Sequence, residues 1–386
     1  MNRRGVCYDV GTVFSGPAYR LSTRPRFGAE VARRELEIIK TDLHCNAVRI
    51  TGRDIGRLMT ATEAALELGL EVWLSPSLHE KNPDQTLGYY LTAAAAAEKL
   101  RARFAGEPGE PTAEAAACQL SGKSCQLCTG RCHQATGPVV FCLGGELSLF
   151  MRGIVGGKTV QQRLATLMSQ VKAGSTEHTE RLNAFLARAA GEVRAVFGGP
   201  LTYASLMGES VDWTPFDFVG IDHYRDARIK DRYVDMVRAY FGCAKPVVVT
   251  EVGMRGYRGA EDSGTLGFGV IDSSSQVLHS LPLVGRLVRP RLNGDYVRDE
   301  QLQARELTEV LGILRAAGVD GVFVNSFVEP LAPFSEDPRH DLDMSALSLV
   351  KSYDGRPGTT YPDMTWEPKA AFRAVANCYA RQPAGA

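Results

Sequence analysis

Net charge is the first thing this chain lacks: 44 lysines and arginines are matched by 44 aspartates and glutamates. Without an excess of either sign there is no global field to draw in nucleic acid, an anionic membrane or a polycationic partner. A small or neutral molecule is the expected partner. Also missing is any uninterrupted apolar run of membrane-spanning length, and no apolar segment follows Met1-Asn2-Arg3-Arg4 to make a secretory leader. The chain is therefore expected to be soluble and cytoplasmic. Cysteine is sparse and odd in number. The nine residues, scattered except for one cluster, argue against a secreted disulfide framework and for reduced thiols.

What the sequence does contain is alternation. Short β-branched or aromatic runs at Val6–Val10, Ala47–Ile50 and Leu70–Leu74 are separated by helical patterns at Ala29–Leu43 and Ile55–Leu68. The alanine-rich stretch Leu87–Phe104 is a helix by propensity. Further strands are expected at Pro138–Leu143, Leu201–Ser205, Phe216–Asp222, Val247–Val252 and Val319–Asn325. Helices are expected at Val160–Lys172, Glu177–Phe197, Ile229–Phe241, Glu300–Ala317 and Pro368–Tyr379. Eight strands, nearly all followed by a helix, over 386 residues predict a single-domain (β/α)8 TIM barrel. Two stretches interrupt the repeat. One is a cysteine-rich insertion at about 106–137, before the fourth strand. The other is a lid-like loop at about 252–298, far longer than an ordinary connection.

Two glutamates stand where buried apolar runs stop. Lys245-Pro246-Val247-Val248-Val249-Thr250 leads to Glu251, and Pro138–Leu143 leads through Gly144-Gly145 to Glu146. In a closed α/β barrel the C-terminal strand ends converge on one site, so both acids fall at its mouth. Facing carboxylates in unlike environments split into an acid and a nucleophile, the division that glycosidic cleavage needs. In retaining enzymes the pair lies about 5–5.5 Å apart; inverting enzymes leave room for a water. Arg49 is a charge inside a short apolar run, costly unless paired. It either faces a mouth carboxylate or lies at the strand end on the surface. Tyr8, Asp9, His79, His223, Asn325 and Glu329 are further candidates for the lining of a sugar site. Trp213 either stacks on a sugar or fills the core. Glu329 either binds a hydroxyl or pairs with Arg255 or Arg258.

Cys125, Cys128, Cys132 and His133, with Cys118 upstream, offer thiolates and an imidazole that could close a tetrahedral zinc site; free thiols on a loop are the alternative. Such zinc would be structural, bracing the insertion beside the fourth strand. No cofactor is otherwise required.

Together Gly144-Gly145-Glu146, Gly220-Ile221-Asp222-His223-Tyr224, Thr250-Glu251-Val252-Gly253 and Phe323-Val324-Asn325-Ser326-Phe327 resemble the clan of retaining glycoside hydrolases built on a (β/α)8 barrel. The resemblance implies that Glu146 is the acid/base and Glu251 the nucleophile. It also implies that Tyr224 is the residue contacting the nucleophile, and that Arg49 is the strand-two arginine beneath it. Members usually carry asparagine before the acid/base, where it binds the sugar 2-hydroxyl, and this chain has Gly145. The departure points to an unusual sugar or to non-hydrolytic glycosyl chemistry. Two other readings compete: a catalytically silent barrel that binds a carbohydrate or protein partner, and a metal-dependent hydrolase using the cysteine cluster. Neither the sugar nor the oligomeric state has a signature in the sequence.

Overall fold

The computed structural model describes residues 1–13, 22–105, 138–263, 269–281, 284–285 and 287–380. The expected insertion, with Cys118, Cys125, Cys128, Cys132 and His133, lies outside the described residues. Eight parallel strands close a barrel in chain order, β8 pairing back onto β1. They are β1 (Arg3–Asp9), β2 (Ala47–Gly52), β3 (Glu71–Pro76), β4 (Val139–Gly145), β5 (Leu201–Leu206), β6 (Val219–Asp222), β7 (Val247–Val252) and β8 (Gly321–Val324). The TIM-barrel expectation is met.

The helices follow from local chemistry. α1 (Ala29–Thr41) and α2 (Ile55–Glu67) each turn an apolar face to the barrel, and Asp54 caps α2 by accepting from the Arg57 amide. α3 (Pro83–Phe104) begins with a capping box on Asn82 and Gln85 and starts four residues before the alanine run suggests. The expected helix Ile229–Phe241 is instead a short α-helix, Tyr233–Arg238, between the 3-10 turns Lys230–Arg232 and Ala239–Cys243. The stretch after β7 contains two short helices, Ala260–Ser263 and Ser273–His279, and isolated bridges tie Tyr257 to Arg298 and Ile271 to Leu292. A small hairpin, Val350–Ser352 with Trp366–Pro368, has no counterpart in the sequence reading.

Side chains sort by strand parity. Val6, Tyr8, Val48, Ile50, Val139, Phe141, Val247 and Val249 fill the large core between barrel and helices. Cys7, Ala47, Trp73, Val140, Phe218, Val248 and Phe323 plug the barrel interior. The next inward residues up each strand, two positions on, are Arg49, Ser75, Cys142 and Thr250, with Asn325 just past β8. The plug is thus the floor of the mouth. Gly220 shows how tight the wall is: a Cβ there would lie 2.3 Å from the Tyr203 carbonyl oxygen and 2.9 Å from Thr202 Oγ1. Because a backbone atom cannot swing away, Gly220→Ala is expected to destabilise the fold by about 2–3 kcal/mol, as other overpacked cores do. Urea midpoints measure it, and an unchanged midpoint would refute so rigid a wall.

Candidate active site

Glu251 is turned into the barrel by a register fault. Ile221 of β6 lies opposite Val249, but Asp222 lies opposite Glu251, leaving Thr250 as an extra residue on β7. Such a bulge re-aims a side chain that simple alternation would send to the other face. Thr250 and Glu251 consequently both serve the mouth. The Glu251 carboxylate accepts from three donors: Arg49 Nη1 at 2.5 Å on Oε1, and the Tyr224 hydroxyl at 2.7 Å and Asn325 Nδ2 at 2.9 Å on Oε2. Asn325 also donates to the Tyr224 oxygen at 2.7 Å, so the tyrosine and amide hold one another as well as the acid.

Arg49 is buried and spans the floor. Beyond Glu251 it donates to the Thr250 carbonyl and to Ser75 Oγ, each at 3.3 Å, and its Nη1 lies 3.7 Å from Asp222 Oδ1. The paired position, not the surface one, is therefore what the structure shows. Burial works against the guanidinium charge, but the Asp222 and Glu251 carboxylates hold its pKa well above the usual value.

Glu146 arrives by a second irregularity. Cys142 of β4 lies opposite Thr202 and Gly145 opposite Ala204, one extra residue on β4. Gly144 turns at φ +72°, where an added Cβ would strike the Tyr90 hydroxyl at 2.1 Å. Glu146 itself sits in the left-handed region at φ 50°, ψ 41°. A non-glycine residue held there is strained, and such strain concentrates at functional sites. Two residues that sequence reasoning missed hold this turn. Glu209, buried, accepts from the Ser148 amide at 3.0 Å, the Leu206 amide at 2.9 Å and the Tyr203 hydroxyl at 2.8 Å, while Tyr203 in turn accepts from the Leu147 amide at 2.8 Å. Burial first, then the charges of Asp222, Glu251 and Glu209, push the Glu146 pKa well above the ordinary carboxylate range; Arg49 opposes them. Gly145 could not take a side chain without adjustment: its Cβ would lie 3.2 Å from both Arg49 Nη2 and Ala204 Cβ.

Not every candidate joins this constellation. Tyr8 has the outward parity of β1, and its hydroxyl donates to Glu35 of α1 at 2.6 Å, a carboxylate also paired with Arg24. His223 likewise faces away, stacking on Tyr233 at 4.8 Å in the helix layer, where burial lowers its pKa to about 4. Asp9 points inward but is engaged by the loop after β1, accepting from the Gly11 amide and the Thr12 and Thr23 hydroxyls. His79 stacks on Phe150 at 4.3 Å beside the turn that carries Glu146. Glu329 accepts from Ser326 Oγ at 3.0 Å and the Leu347 amide at 2.9 Å, with Lys369 and Arg255 supplying opposing charge to a half-buried acid. Trp213 packs edge-on to Phe216 in the core. A cavity of about 340 Å³ opens at the opposite end of the barrel, but its polar groups are occupied: Lys245 donates to the Trp213 and Phe216 carbonyls, and Asp320 pairs with Arg3. Among the described residues no group of three or more histidines, cysteines, aspartates or glutamates could hold a metal ion, and no helix is long and apolar enough to cross a membrane.

No protein-family profile matches the chain, and no curated protein matches it. Solved structures do. A GH113 beta-1,4-mannanase superposes with a TM-score of 0.55 at 13% identity, covering 98% of this chain and 99% of that one. A beta-glycosidase, BGL167, aligns over 100% and 97% at 11% identity with a TM-score of 0.49. An endo-beta-1,4-mannanase from Thermotoga petrophila aligns over 98% and 76% at 10% identity with a TM-score of 0.47. At such identities the first likeness establishes the fold: this chain is a (β/α)8 barrel.

Proposed function

We propose that the protein is a retaining glycoside hydrolase or transglycosidase acting through a covalent glycosyl-enzyme intermediate. The observation that carries the reading is the contrast between its two mouth glutamates. Glu251 is addressed by three donors, whereas Glu146 receives none among the described residues and keeps its proton. Unlike environments of this kind divide a carboxyl pair into nucleophile and acid.

In the first step a Glu251 oxygen attacks the anomeric carbon, the glycosidic bond breaks, and the Glu146 proton passes to the departing oxygen. Tyr224 and Asn325 on one oxygen, with Arg49 on the other, orient the attacking carboxylate. Forming the ester removes the negative charge on Glu251, one of the charges that hold up the Glu146 pKa. Glu146 is thereby readier to act as a base, taking a proton from water or from an acceptor hydroxyl that attacks the ester. Glu251 leaves as a carboxylate and the cycle closes.

The test is a panel of aryl glycosides, pyranosides and furanosides alike. Glu146→Ala is expected to cost about 10²–10⁴-fold in kcat/KM with a poor leaving group, the usual worth of a general acid. With a dinitrophenolate leaving group, which needs no proton, the loss should be far smaller, and added azide should restore turnover as a glycosyl azide. Equal losses for both leaving groups would remove Glu146 from the acid role. A second reading, a barrel that binds a glycan without turnover, draws on Gly145, whose lack of a side chain leaves the residue before Glu146 with nothing to offer a sugar. Calorimetric binding of a glycan that no member of the panel shows being turned over would select it.

A further inference from the structure

Two carboxyl groups lie within 4 Å of one Arg49 nitrogen, and the proposed chemistry uses only Glu251. The other is Asp222. It is the inward residue at the end of β6, its side chain is 1% exposed, and its Oδ1 accepts from Thr250 Oγ1 at 2.7 Å. The same Arg49 nitrogen that lies 2.5 Å from Glu251 lies 3.7 Å from Asp222. Sheet register sets Asp222 directly beside Glu251. Too deeply buried to meet a substrate, it sits against Thr250 and Arg49, the residues beside and beneath Glu251.

We propose that Asp222 is a positioning residue for the glutamate pair: it shares the Arg49 guanidinium with Glu251 at the floor of the mouth, and through that shared cation its carboxyl is coupled to both glutamates. The names of those roles rest on the glycosidase reading; the coupling among the carboxyls does not. The charged groups around Asp222 are Arg49 from β2, Glu251 from β7, Glu146 after β4 and Glu209 after β5. Cys7 and Cys142 also face this floor, but burial raises both thiol pKa values, so they remain uncharged. One cation therefore serves several acids, and they must share protons. Glu251, with a short arginine contact and two further donors, is the best placed to hold the negative charge. Burial, reinforced by the Glu251 charge, raises the Asp222 pKa to about 8 against the pull of Arg49 and Thr250. Once ionised, Asp222 raises Glu146 in its turn, as Glu251 does.

The experiment is a carbon-13 NMR titration of protein labelled at the Asp and Glu carboxyl carbons, followed from pH 4 to 10, with Glu146→Gln identifying the Glu146 resonance. In the wild type, Glu146 should titrate biphasically, its second inflection coinciding with that of Asp222; two independent single-step curves would overturn the proposal. In Asp222→Asn, which keeps an oxygen for Thr250, the Glu146 midpoint should fall by about one pH unit or more, the scale on which a close like charge acts. A folded Asp222→Asn protein with an unmoved Glu146 midpoint would reduce Asp222 to packing. Neither titration needs substrate. In parallel, labelling of Glu251 by aryl 2-deoxy-2-fluoroglycosides tests the glycosidase reading. If wild-type Glu251 stays unlabelled while the carboxyls titrate together, that reading fails and the coupling stands.

Discussion

Glu251→Gln should lose roughly 10⁴-fold or more in turnover of any aryl glycoside that the wild type cleaves, the order of loss seen when a nucleophile is deleted from a constellation that acts as a unit. The substitution is nearly isosteric. Arg49 keeps a carbonyl oxygen to donate to, but Tyr224 and Asn325, which now share one carboxylate oxygen, would meet an amide nitrogen unless the side chain flips. An amide oxygen is a poor nucleophile toward an anomeric carbon, and the ester it would have formed cannot accumulate. The check combines steady-state rates with mass mapping of an aryl 2-deoxy-2-fluoroglycoside adduct. Wild-type protein should gain one glycosyl mass on the peptide containing Glu251 and the variant none. A fully active Glu251→Gln protein, or an adduct mapped to another carboxylate, would remove the covalent mechanism.

Much of this was open to inspection in the sequence, and the part that was not has an identifiable cause. The strands and most helices follow from hydrophobic period and punctuation, so the barrel could be counted before it was seen. Period also predicts which face a residue takes, and applied strictly it would have sorted the candidates better. In β6 and just beyond, Gly220, Asp222 and Tyr224 share one face while Val219, Ile221 and His223 share the other. His223 and Tyr224 could not both line the mouth, and Asp222 had to. The same parity in β1 sends Tyr8 to Glu35 and Cys7 to the interior. Glu251 and Glu146 behave otherwise. With Val247 and Val249 facing the helices, alternation places Glu251 outside the barrel, and only the extra residue at Thr250 brings it in. That bulge depends on how β6 and β7 pair, which no single strand's sequence displays. Glu209 was hidden for a related reason: it lies in a loop, and its importance comes from accepting the Ser148 amide of a turn far away in the chain.

Arg49→Met should be the most disruptive substitution at the floor of the site. Removing the cation leaves Asp222 and Glu251 facing one another in a buried space, and breaking a buried pair from one side costs about 3–5 kcal/mol. The loss should depend on pH in a particular direction. The folded-state pKa of Asp222 is raised, about 8 against an ordinary 3.8. Between those values the folded protein holds a proton that the unfolded chain has released, so wild-type stability from this group is full at low pH and falls as pH rises toward 8. Glu146 is displaced the same way. His79 and His223, lowered by burial from 6.5 to about 4, act in the opposite sense between those two values, as uncharged folded histidines against protonated unfolded ones. From pH 6.5 to 8 the carboxyls therefore dominate among these groups, and stability should slope downward. Without Arg49 the carboxyl pKa values rise further, because the charge that favoured ionisation is gone. The gap between wild type and Arg49→Met should then widen from pH 5 to pH 8. At the acid end, where Asp222 and Glu146 are neutral, less charge is left for Arg49 to balance and the gap should shrink. Urea midpoints of both proteins at pH 5, 6.5 and 8 measure this. A gap that stays constant with pH would mean that Arg49 supports the barrel by packing, and that the carboxyls around it are not balanced by its charge.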